Sequence, residues 1–360
     1  MPDPDAFYNK TRDARKIIVV DLGFLGDSVH TVPALWEIKR NYPRAELHVL
    51  SAPVGAELLK LAPCVDRAWR FPLGPPSPPW WKHWDIIRQL RRERFDLLFN
   101  FSGADRTIWI SGILGAKWRI AYPGGRDHFW NSWLIAEWLP KISEALPIFE
   151  KRRQMLGLCG LKLDAPRFDV AIPADEREWA ARAVSKGSIH LSINASSPYK
   201  EWPIDRWVEL IRRLSDREPG LTIIATASGS EREVSRLSEL KRQIPAKQLR
   251  TFSGLNIGRL AALLSRCAIH VGADSGVLHL AFALGIRTVS LFRDYDRVHE
   301  WVPKGLSHRH VIASCHCQRA LTSECSAAAQ ALCLGKIDAA RVLQLVQELH
   351  STSHEIGSSF

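Results

Sequence analysis

The sequence predicts an α/β protein made of two doubly wound domains, each a parallel sheet covered by helices, and three observations carry that expectation. Apolar runs short enough for strands alternate with amphipathic stretches from end to end, which is the pattern of parallel sheets with helices on both faces. A glycine-rich turn opens each half, DLGFLGDSVHTVPAL at residues 21–35 and GADSGVLHLAFALG at 272–285, each following an apolar run and leading into a helix. At 360 residues the chain also exceeds one comfortable core, so two domains of roughly 150 to 180 residues each are expected.

In order along the first half, KIIVVD, ELHVLS and FDLLFNF read as strands, with helices between and after them. FPLGPPSPPWW at 71–81 is too proline-rich for regular structure and reads as a stiff surface loop. The join falls near residues 162–188, where KLDAPRFDVAIPADE has two prolines and little periodicity. The expected boundaries are 1–165, 166–350 and a frayed tail, STSHEIGSSF, over 351–360. In the second half, EREWAARAV leads as a helix into strands at SIHLSIN, LTIIATA, AIHVGAD and TVSLF. WPIDRWVELIRRL and NIGRLAALLSRC are its clearest helices, and the last, ARVLQLVQELH, is expected to cross back to the first domain. No internal repeat is visible in the sequence.

Composition narrows the function classes. Hydrophobic residues at 46% and charged residues at 24% are ordinary for a globular protein, but a net charge of +11 is not. Nucleic acid, an anionic membrane surface and an anionic substrate would each suit it, and no nucleic-acid-binding motif supports the first. The polar start MPDPDAFYNKTRDARK has no signal-peptide pattern, and no apolar run approaches 18 residues, so a cytoplasmic protein is expected. Nine of the fourteen tryptophans lie between Trp69 and Trp138, interleaved with Arg88, Arg91, Arg92, Arg94, Arg106, Lys117, Arg119 and Arg126. Amphipathic aromatics beside cations suit contact with anionic headgroups or a phosphorylated glycolipid, whereas a buried aromatic core under a solvated basic helix accounts for about half of them.

Chemistry concentrates at the turns. A strand–turn–helix junction presents unpaired N–H groups at a helix N-terminus, the usual way to hold phosphate. Asp27 in the first turn reads either as a carboxylate aimed at a reacting group or as a helix cap. In NASSPYKEWP, Ser196, Ser197 and Lys200 would bring hydroxyl, N–H and ammonium groups to one loop, although a solvated lysine is the blander reading. Asp274, Ser275, Gly276 and His279 occupy the second turn, with His279 one helical turn in. Cys64, Cys159 and Cys267 read as small core residues and reduced thiols. Cys315, Cys317, Cys325 and Cys333, spaced C-x-C-x7-C-x7-C, would make a structural zinc or iron site of unusual spacing.

These stretches resemble glycosyltransferase family 9, the bacterial heptosyltransferases of lipopolysaccharide inner-core synthesis. LGDSVHTVPAL, NASSPYKEWP, SGSEREVSRL, SGLNIGRLAALLSRC, GADSGVLHLAFALG and CLGKIDAARV occur in the family's order, and the likeness is weak between residues 70 and 165. The resemblance implies the GT-B fold, two Rossmann-like domains with parallel sheets facing across a cleft, the first binding the acceptor and the second the nucleotide sugar. It implies an inverting, metal-independent transfer with no required cofactor, from ADP-heptose to an anionic glycolipid or glycan acceptor, with peripheral inner-membrane contact. Asp27 matches the family's general base. Ser196, Ser197, Lys200, Asp274, Ser275, Gly276 and His279 match its diphosphate-binding positions, with serine where threonine is usual. Glu233, with Glu231 as competitor, matches the ribose carboxylate, and Leu255 an apolar position beside the adenine. A protein acceptor, a nucleotide-sugar epimerase and a non-catalytic binding protein are the alternatives; a dinucleotide oxidoreductase is disfavoured because neither turn carries G-x-G-x-x-G.

Overall fold

A computed structural model of the chain describes residues 4–73, 79, 83–122, 128–139, 142, 145–315 and 322–356. The chain divides into two compact units, residues 1–171 and 172–360. The backbone N–H of Ala171 donates to the Leu61 carbonyl at 2.7 Å, tying the end of the connecting segment to the first unit.

The first unit runs α1 (Pro4–Thr11), β1 (Lys16–Asp21), α2 (Leu25–Asn41), β2 (Glu46–Ser51), α3 (Pro53–Leu59), β3 (Arg67–Arg70), α4 (Trp84–Arg92) and β4 (Leu97–Asn100). It continues with α5 (Asp105–Leu114), β5 (Trp118–Ala121), α6 (Asn131–Leu134), β6 (Glu137–Trp138) and α7 (Ile148–Gly157). All neighbouring strands are parallel, in the order β3-β2-β1-β4-β5-β6. Successive strand side chains face opposite ways, so a strand covered on both sides must be apolar throughout. Accordingly Ile17 and Val19 of β1 pack under Leu35 and Ile38 of α2 and Leu156 of α7, while Ile18 and Val20 pack under Leu90 of α4 and Ile110 of α5. Gly115, at φ +68°, ends α5 in the left-handed conformation that glycine adopts without a Cβ penalty.

The second unit runs α8 (Ala174–Ala183), β7 (Ser188–Ser192), α9 (Ile204–Arg217), β8 (Ile223–Ala227), α10 (Glu231–Gln243), β9 (Leu249–Ser253), α11 (Ile257–Leu264) and β10 (Cys267–Ala273). Then follow α12 (Gly276–Ala283), β11 (Arg287–Arg293), β12 (His308–Ala313), α13 (Ser323–Ala327), α14 (Leu332–Gly335) and α15 (Ala339–Ile356). Its parallel order is β12-β11-β10-β7-β8-β9. Counted within each unit, both sheets therefore have the strand order 3-2-1-4-5-6 of the Rossmann fold. Trp202 and Trp207, fully buried and in edge-to-face contact at 4.9 Å, anchor the core beneath α9.

In the last helix, α15, Val342, Val346 and Leu349 are buried in the core of the second unit, with Leu210 and Leu214 of α9. Of the expected tail at 351–360, α15 continues to Ile356 and residues 357–360 lie outside the described residues. Of the proline-rich loop at 71–81, residues 74–78, 80 and 81 lie outside the described residues, as does Arg126. Trp69 is buried, as the core reading of the tryptophan-rich segment expects, whereas Trp84, Trp109 and Trp133 are exposed.

Candidate functional site

In open α/β sheets, ligands gather beyond the C-terminal ends of the strands, where consecutive connections depart to opposite sides. That switch lies between β1 and β4 in the first unit and between β7 and β10 in the second.

Asp27 sits in the first turn of α2, directly after β1. The capping reading is the one this geometry bears on: the helix is capped at Phe24, and the Phe24 N–H donates to Asp27 Oδ2 at 3.0 Å, leaving Oδ1 facing a cation. That cation is Arg152 of α7, whose Nη2 lies 3.6 Å from Asp27 Oδ1 and whose Nη1 lies 3.1 Å from the buried carboxylate of Asp21. Arg152 also donates to the Asp27 carbonyl and to the Thr31 hydroxyl, and Thr31 in turn donates to Asp21. Gly23 makes room for this arrangement, since a Cβ there would lie 2.4 Å from the Cβ of Asp27 and 2.6 Å from its Oδ2. Asp21, Thr31 and Arg152 surround Asp27 in this arrangement, and the sequence reading misses them. The carboxylate that ends a buried strand was a signal for Asp21, but Arg152 lies 125 residues from Asp27 and had none.

In the second unit, Asp274 leaves the end of β10 and collects three partners. Lys200 Nζ lies 2.8 Å from its Oδ2, the Tyr295 hydroxyl donates to the same oxygen at 3.0 Å, and His279 Nε2 stands 3.8 Å from Oδ1. Burial alone would raise the Asp274 pKa, but the adjacent His279 and the charge of Lys200 outweigh it and hold the group at about 2. Burial, then the adjacent Asp274 charge, pushes the Tyr295 hydroxyl well above its ordinary value, so it stays a donor. An anionic side chain does not itself bind an anionic ligand; Asp274 instead positions Lys200 and His279. Ser275 caps α12 by accepting the Leu278 N–H, and Gly276 is that helix's first residue. Ser197 likewise accepts the Tyr199 N–H at 3.3 Å, while Ser196 is exposed.

The Lys200 loop is fastened to α10. Buried Glu201 accepts the Ala195 N–H at 3.0 Å and pairs with Arg232 at 2.5 Å and Arg236 at 3.4 Å. Arg232 also donates to the Ala195 carbonyl at 2.6 Å. Glu233, next in sequence, accepts the Ser228 N–H at 2.8 Å and lies 3.8 Å from Arg232, whereas Glu231 is exposed. Leu255, half-buried, packs with Phe252 and Leu263. The structure thus puts Ser196, Ser197, Lys200, Glu233, Leu255, Asp274, Ser275, Gly276 and His279 beyond the C-terminal ends of β7, β8, β9 and β10. It joins Lys200, Asp274 and His279 directly.

Two sequence signals resolve differently. The sequence reading takes the chain to hold no D-x-D motif, in support of a metal-independent transfer; that is wrong, because Asp294-Tyr295-Asp296, directly after β11, has the D-x-D spacing. Of the clustered cysteines, Cys325 and Cys333 are buried free thiols, Cys315 is disulfide-bonded, and Cys317 lies outside the described residues. A disulfide sulfur is not a thiolate ligand, and no group of three or more metal-ligating side chains occurs among the described residues. Cys64, Cys159 and Cys267 are buried free thiols, each pushed up to about 12 by burial.

Known proteins place this architecture. Lipopolysaccharide core heptosyltransferase OpsX of Haemophilus influenzae is 21% identical over 284 residues, covering 78% of this chain and 80% of that protein. The structure of the E. coli ADP-heptose lipopolysaccharide heptosyltransferase II superposes with a TM-score of 0.74 at 19% identity, covering 94% of this chain and 99% of that one. E. coli heptosyltransferase WaaC, solved with ADP-2-deoxy-2-fluoro heptose, superposes with a TM-score of 0.68 at 17% identity, covering 92% and 99%. The sequence matches glycosyltransferase family 9 (heptosyltransferase) over residues 83–330, more than half of its length, and the chain belongs to that family of glycosyltransferases.

Proposed function

We propose that the protein transfers a heptose from ADP-heptose to an inner-core lipopolysaccharide acceptor, with inversion at the anomeric carbon, at the cytoplasmic face of the inner membrane. The observation that carries this reading is the buried Asp274 holding Lys200 and His279 at the N-terminus of α12, beside the switch point of the second sheet.

Asp27 takes the proton of the acceptor hydroxyl as its oxygen forms the new bond to the anomeric carbon and the bond to the donor diphosphate breaks. Lys200, the Ser275 and Gly276 N–H groups and the Ser196 and Ser197 loop receive the charge that develops on the departing diphosphate. His279 contributes to the same anion, and Glu233 accepts from the ribose hydroxyls, for which a carboxylate is well suited. Arg152 and Asp21 orient Asp27 without touching a reactant. Leu255 offers the adenine an apolar surface.

Calorimetric titration with ADP, UDP and GDP tests the donor. Selective ADP binding that Lys200→Ala weakens at least tenfold is expected; preference for UDP or GDP would replace the donor, and no binding to any would remove the reading.

A further inference from the structure

A cavity in the first unit is lined by none of the residues assigned above. It has a volume of about 570 Å³, within the range of about 300–1,000 Å³ usual for small-ligand sites, and is lined by His83, Ile87, Arg106, Trp109, Ile110 and Ile113. Residues 106, 109, 110 and 113 have the i, i+3, i+4, i+7 spacing of one helix face, so the slot follows α5 for about 10 Å at 1.5 Å per residue.

The slot is polar at one end and apolar along its length. Arg106, in the first turn of α5, is exposed and has no ion-pair partner among the described residues, and the helix N-terminus adds positive potential beside it. His83 is 4% exposed, lies against Phe71 at 4.3 Å between ring centroids, and its Nδ1 has no hydrogen-bond partner among the described residues. A buried nitrogen left unpaired is costly, and it marks where a ligand's polar atom belongs. Burial, followed by the nearby Arg106 charge, lowers the His83 pKa. From this end the walls become Ile87, Ile110 and Ile113. Outside, Trp109 is 45% exposed and lies 6.0 Å from Trp130, which continues to Phe129 and Trp133, exposed by 75% and 73%.

We propose that this slot binds one alkyl chain of an anionic amphiphile, with its phosphate-type head at Arg106 and His83 and its chain running along Ile110 to Ile113. The inference rests on the proposed function only in naming the chain's source, the lipid portion of the glycolipid acceptor.

Titration with butyl, octyl and dodecyl phosphate below their micellar concentrations, with octanol as the uncharged control, tests the site. Affinity should rise about fourfold per added methylene until the slot is full, and octyl phosphate should bind at least tenfold more tightly than octanol. Arg106→Gln should erase the preference for the phosphate. Ile113→Trp, which fills the slot, should abolish the dependence on chain length, and Trp109→Ala, at an exposed position where folding is not in question, should weaken octyl phosphate about tenfold. Binding that is independent of chain length, or wild-type affinity in both Ile113→Trp and Trp109→Ala, overturns the proposal. Because no nucleotide is present, loss of ADP binding with retained alkyl phosphate binding would refute the donor reading alone.

Discussion

Asp27 has one carboxylate oxygen bound to its own helix's first N–H group and the other turned toward Arg152, so its aim depends on residues that do no chemistry. Asp27→Asn keeps the shape and the Phe24 contact but cannot take a proton; kcat should fall by about 10²- to 10⁴-fold while ADP affinity stays within twofold. A folded Asp27→Asn enzyme with near-normal turnover would exclude the base role. Gly23→Ala tests the same geometry from the backbone side. The added methyl must displace the Asp27 side chain, and a misplacement of about 1 Å costs on the order of 100-fold in turnover. Wild-type kcat in that variant would show that the carboxylate's position does not matter. These glycines and Asp27 were legible because such turns tolerate few residue types. Arg152, Tyr295 and Arg232 were not, because their partners are neighbours only after folding.

At the level of elements, the strands the sequence reveals are those whose two faces are both covered. β3, β6, β9 and β12 were unreadable, and they are the four strands at the sheet edges. An edge strand is half solvated and needs no continuous apolar run, as RAWR and HRHVIA illustrate. Interior β5, WRIA, escaped notice because it has only four residues. The link from the Lys200 loop to α10 was equally hidden, since Glu201 and Arg232 each look like ordinary surface charges in sequence. Arg232→Ala would leave buried Glu201 with the Ala195 N–H and, among the described residues, Arg236 as its one cation, and we expect a loss of about 1–3 kcal/mol in urea unfolding together with a raised donor KM. An unchanged urea midpoint would mean the pair is dispensable.

Across the whole molecule, acid sensitivity should originate in the second unit. His190 and His270 face each other across β7 and β10 with Nδ1 atoms 2.8 Å apart, and both are fully buried. Burial lowers His190 to about 3, and burial together with its partner lowers His270 well below the ordinary value. The unfolded chain, with histidine near 6.5, therefore binds protons in a range where the folded chain does not. Stability from this pair is present above pH about 6.5 and declines as pH falls toward 3, by up to about 1.4 kcal/mol per pH unit for each ring. Asp274, held at about 2 against an ordinary 3.8, adds its own loss only below pH about 4. Equal urea midpoints at pH 7 and pH 5 would refute the histidine contribution.

The ion pair between Glu201 and Arg232 also works as a caliper. Each partner is the chain neighbour of a proposed donor-binding residue, Lys200 on one side and Glu233 on the other. On the donor assignment proposed above, closing the inner pair would fix the gap between the outer two and so set the span from diphosphate to ribose before any nucleotide arrives. Such a gauge would reject by length: a donor analogue with one phosphate, or with three, would reach one jaw and miss the other, whatever base it carries.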